Sequence, residues 1–85
     1  MKHASPAALD ELEPLLAEIR TLAGLKEKSR GIFYLKSRAF LHFHEDPKGL
    51  FADVRDESGR DFERIDVTEA PGRARLLAAA RSRLD

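Results

Sequence analysis

The sequence predicts an α+β fold: a two-layer sandwich in which a helix, a four-stranded antiparallel meander and a second helix follow one another in a single domain, residues 1–85. Three observations predict it. Leucine and isoleucine recur at three- and four-residue spacing between Leu9 and Leu22. From Ile32 to Val67 short apolar runs alternate with tight-turn signals, and from Thr68 onward an alanine- and leucine-rich stretch returns to helical spacing. A chain of this length has one core and buries only about 60–65% of the surface that its unfolded form exposes. Association adds stability to so small a core, so a homodimer or a complex with another protein is the expected state.

Residues 1–5 are expected to form a flexible terminus. Ser5 before Pro6 is a helix start, since serine accepts from free amides and proline at the first helical position loses no needed donor. Pro14 falls inside the apolar stripe of Leu9, Leu12, Leu16, Ile19 and Leu22, which predicts either a kink or a helix that begins near Asp10, and Gly24 is the natural stop. The segment "GIFYLKSRAFLHF" is split by Lys36-Ser37-Arg38 into two strands. "DPKG", Asp46 to Gly49, suits a three-residue hairpin closed by Gly49, and leads into the third strand, "LFADVR". "DESG", Asp56 to Gly59, repeats that turn chemistry before the fourth strand, "RDFERIDV", after which Thr68 caps the second helix.

Fifteen lysines and arginines balance fifteen acids, which argues against a protein that grips nucleic acid by its overall field. There is no cysteine, so disulfides and thiolate metal sites are excluded. The start carries acids where a signal peptide needs an apolar run, and no run is long enough for a membrane span, so a cytoplasmic location without membrane contact is expected.

Alternation along the strands sorts the side chains into two faces. Ala39, Leu41, Phe43, Leu50, Ala52 and Val54 belong to the core with Phe33 and Leu35, leaving Tyr34, Phe40, His42, His44, Phe51, Asp53 and Arg55 on the side that no helix covers. A register with Asp46 opposite Leu50 would reverse the third strand. The hydrophobic pattern argues against it, with a bulge beside Gly49 to reconcile the two.

That open aromatic and histidine face is the predicted interaction surface. Two further roles suit its residues. His42 and His44, two positions apart on a strand, point the same way, and Asp53 can add an oxygen ligand for a zinc- or iron-like divalent ion; His3 lies in the terminus and is set aside. Tyr34 and Phe40 can stack bases while Lys36, Arg38 and Arg55 meet phosphates, the alternative of nucleic-acid binding. No serine stands in a nucleophile setting and no glycine-rich phosphate loop is present, so an enzyme is not expected and no catalytic residue is assigned.

The run "LAGLKEKSRGIFYLKSRAFLHFHEDPKGLFADVR", Leu22 to Arg55, resembles a compact version of the YjbR/MmcQ-like bacterial proteins. Those have a leading helix, a "PG-V-E-K-F" segment, a strand of "K-F-F" character and a glycine turn into a strand. The matching features are Leu22 to Lys28, Phe33, Ala39 to Phe43, and Gly49 to Arg55. The resemblance implies an α+β fold and a DNA-binding label without a defined mechanism; it carries over no catalytic or ligand residue.

Overall fold

Helix α1 (Pro6–Ile19) and helix α2 (Ala70–Leu84) flank five strands in sequence, with one short strand ahead of α1, in a computed structural model that describes residues 1–84. The strands are β1 (Lys2–His3), β2 (Leu25–Ser29), β3 (Ile32–Leu35), β4 (Arg38–Asp46), β5 (Gly49–Arg55) and β6 (Phe62–Asp66). All pair antiparallel in one sheet of order β2-β3-β4-β5-β6. β4 is the longest strand. β3 pairs with its first half, and β1 pairs with its second half through Lys2 opposite Glu45 and His3 opposite His44. The α+β expectation holds, while the four-stranded meander becomes five strands plus β1.

The Ser5 hydroxyl accepts from the Ala8 amide at the start of α1. The helix runs unbroken from Pro6 rather than beginning near Asp10. Pro14 lies on its exposed side, where water can replace the hydrogen bond that proline cannot make. It stops at Ile19, five residues before Gly24, because the Arg20, Thr21 and Leu22 amides turn back onto the carbonyls of Leu16, Glu18 and Ile19. Gly24 instead takes a left-handed conformation at the entry to β2. Thr68 does not cap α2. Its hydroxyl is engaged with Leu50, accepting from that residue's amide at 3.0 Å.

Leu12, Leu15, Leu16 and Ile19 of α1, with Leu76, Leu77 and Ala80 of α2, bury against Phe33, Leu41, Phe43, Leu50, Ala52, Val54 and Ile65. Each large side chain fully removed from water contributes about 1.5–3 kcal/mol. The register places Leu41 opposite Val54, His42 opposite Asp53 and Phe43 opposite Ala52, as the hydrophobic pattern requires. No bulge is needed there: Asp46 pairs directly with Gly49, so the hairpin loop is the two residues Pro47 and Lys48 rather than three.

A bulge occurs instead between β3 and β4. Phe33 faces Leu41 but Tyr34 faces Ala39, which leaves Phe40 as the extra residue. The bulge turns Phe40 inward, 2% exposed, and moves Ala39 to the side of Tyr34. Phe40 is therefore a core residue, not part of the open face.

Candidate metal centre on the uncovered sheet face

Strand alternation carries His42 and His44 of β4, Asp53 of β5 and Arg64 of β6 to the face opposite both helices, in rows fixed by the register. Asp53 sits opposite His42 on one side and Arg64 on the other. Although no helix covers it, Asp53 is only 8% exposed, because these basic side chains close over it.

Arg64 donates from Nε and Nη2 to the two Asp53 oxygens, each at 2.8 Å, the bidentate geometry that guanidinium and carboxylate favour. Both imidazoles converge on one oxygen: Nε2 of His42 lies 3.4 Å and Nε2 of His44 3.3 Å from Asp53 Oδ2. The three ligand atoms lie within 4.8 Å of one another. Burial works to raise the Asp53 pKa, but the Arg64 hydrogen bonds and the surrounding positive charge outweigh it, and the carboxyl is held below its ordinary value. His42 is pushed below the usual histidine value chiefly by burial, against the opposing pull of Asp53. A neutral ring beside an ionised carboxylate is the state in which both serve as metal ligands.

His3 lies beside these three ligand positions. Its pairing with His44 stacks the two rings at 4.9 Å with planes 25° apart, and its centroid is 6.0 Å from that of His42. β1 is held by Ala4 donating to the Phe43 carbonyl and by the Ser5 amide donating to Glu45. Nδ1 of His44 is buried with no partner among the described residues. Its hydrogen therefore belongs on Nε2, directed at Asp53, in the free protein.

Comparison of the chain with protein-family models, with curated proteins and with solved structures finds no match.

The other residues named for the open face are distributed around this cluster. Phe51 is half-buried beside His44. Arg55 lies with its guanidinium 4.2 Å over the Phe62 ring, and that ring meets His42 edge-on at 4.9 Å. Tyr34 is half-buried, away from the cluster, beneath the Lys28 ammonium. Lys36 lies in the β3–β4 turn and Arg38 is the first residue of β4. Sequence reasoning missed Arg64, Phe62 and His3. The alternation in "RDFERIDV" puts Phe62 and Arg64 on one side and signals the first two once β6 is paired with β5, but nothing near residue 3 announces a two-residue strand.

Proposed function

We propose that this protein binds a divalent transition-metal ion on the open sheet face, with His42, His44 and Asp53 as ligands and His3 as the fourth. The observation that carries this reading is the spacing of the donor atoms. A tetrahedral ion with bonds of about 2.0–2.1 Å holds its ligand atoms about 3.3 Å apart. The two nitrogen–oxygen separations here are 3.3 and 3.4 Å, and the two ring nitrogens, within 4.8 Å of each other, would draw together as the ion binds. Two imidazoles and one carboxylate form a donor set suited to zinc or ferrous iron. Arg64 supplies the outer hydrogen bonds that orient a ligating carboxylate, leaving lone pairs on Asp53 for the ion.

His44 sets the limit on affinity. As a ligand through Nε2 it must carry its hydrogen on Nδ1, where no acceptor stands among the described residues. A missing outer partner costs about 10–100-fold in metal affinity. The test is calorimetric titration and thermal melting with zinc chloride. One ion should bind and raise the melting temperature, a chelator should reverse the shift, and His42→Ala or His44→Ala should abolish it. Melts insensitive to both zinc and chelator would remove the proposal.

A protein interface on the same face is a second reading, supported by Phe62, 38% exposed beside His42. Its occupant would be a second copy, for which zero net charge presents no long-range repulsion. Phe62→Asp should then convert a dimer to a monomer in sedimentation; an unchanged mass counts against it.

A further inference from the structure

At the opposite end of β4 from β1, the β3–β4 turn, the β5–β6 loop and the last turn of α2 enclose a groove of about 430 Å³. That lies within the usual range for small-ligand sites, about 300–1,000 Å³. Leu35, Ala39 and Phe40 provide its apolar part. Lys36, Arg38, Arg55 and Arg83 provide its positive charge, against the carboxylates of Asp56 and Glu57.

The guanidiniums are oriented without being neutralised. Arg38 donates to the Gly59 carbonyl at 2.7 Å, and Arg55 donates to the carbonyls of Ala39 and Arg60 at 2.8 and 3.1 Å. Backbone carbonyls fix direction but carry no full charge, and neither arginine pairs with a carboxylate among the described residues. Each guanidinium has five N–H donors, so both retain some for a ligand. Arg83 spends Nη2 on Glu63, while its Nε and Nη1 are buried without a partner among the described residues. Asp56 also lines the groove, but its Oδ1 accepts from the Ser58 amide, the Ser58 hydroxyl and the Gly59 amide, and so shapes the loop rather than answering the arginines.

We infer that this groove is a second binding site, one that takes a small organic anion: an oxyanion head, carboxylate or phosphate, held by Arg38 and Arg55, with an apolar body lying on Leu35, Ala39 and Phe40. Two fixed guanidiniums match the planar, multidentate recognition of such heads. The groove uses Lys36, Arg38 and Arg55, the cations that the sequence offers for phosphate contacts, but confines them to a space suited to a small molecule.

The test is a titration of the labelled full chain with phenyl phosphate, benzoate, inorganic phosphate and a short single-stranded DNA, followed by backbone amide shifts. Phenyl phosphate or benzoate should give saturable shifts confined to residues 35–40, 55–59 and 82–83, and whichever binds tighter identifies the head group. Inorganic phosphate should bind at least about tenfold more weakly, lacking the apolar body. Arg38→Gln, on an exposed side chain, should weaken binding about tenfold or more with an unchanged melting temperature. His44→Ala, which removes a metal ligand without touching Phe62 or Arg55, should leave binding intact, which separates this site from the metal centre. The inference is overturned by the absence of saturable shifts up to about 10 mM, by inorganic phosphate binding as well as phenyl phosphate, or by DNA binding the same residues more tightly than either small anion.

Discussion

Along α1 and β2, Arg20 bridges Glu13 and Glu27 while Arg30 bridges Asp10 and Glu13; on the uncovered face of the sheet, one buried carboxylate, Asp53, is shared by Arg64, His42 and His44. In the first cluster the signs alternate, each cation meets two acids and most of the side chains stand in water. In the second, a single anion, itself out of solvent, serves two largely buried imidazoles and an exposed arginine, and one ring nitrogen has no partner among the described residues. An exposed, mutually satisfied chain of charge contributes little and offers a ligand nothing. A cluster in which two imidazoles crowd one ionised carboxylate, with a buried ring nitrogen unpartnered among the described residues, does offer something. What distinguishes a candidate site from ordinary surface charge here is incomplete internal pairing, not the density of charge.

The largest expected effect marks where the sheet's two faces divide. Phe40→Ala should lower stability by about 3–5 kcal/mol in urea denaturation, as a core truncation does; a small change would return Phe40 to the open face. Next comes the anion at the centre of the cluster. Asp53→Asn removes the charge that receives the bidentate Arg64 bonds and should lower stability by about 1.5–3 kcal/mol while eliminating any stabilisation by zinc. Stabilisation by zinc that survives in this variant would place the ion elsewhere.

Acidification separates the two charge clusters further. His42 has its folded pKa below the ordinary value of 6.5, so below that pH the unfolded chain takes up a proton that the native ring resists, and stability falls with pH until the folded ring also titrates. The Asp53 contribution is lost only at lower pH, as the medium falls below the ordinary 3.8 and through the depressed folded value. Denaturation midpoints should therefore decline from pH 7 toward pH 5, and more steeply than in His42→Ala. Identical slopes would contradict the buried-ring account. The smallest effect belongs to the surface chain: Arg30→Gln should shift the melting temperature slightly at low salt and not at all near 1 M salt, with zinc binding unchanged.

The parts of the fold that rest on long periodic signals were legible. The stripe from Leu9 to Ile19, the β4–β5 pairing and the helical spacing after Ala70 all follow from burying one face. β2 was not, because "LKEKS" is short and polar and becomes a strand only by pairing with β3. Nor was the inward turn of Phe40, since a bulge breaks the alternation that assigned its face. Of the candidate site, His42, His44 and Asp53 were legible from alternation across one hairpin. His3 and Arg64 depended on partners distant in sequence, β1 meeting the end of β4 and β6 meeting β5.

The most direct measurement of the central claim is anomalous X-ray scattering at the zinc edge from crystals of the chain grown with zinc chloride. The account predicts one peak among His42 Nε2, His44 Nε2 and Asp53 Oδ2, about 2.0–2.2 Å from each, with a His3 nitrogen as the fourth ligand. A zinc peak bound elsewhere with this cluster unchanged, or no peak at a concentration that saturates solution binding, would contradict it.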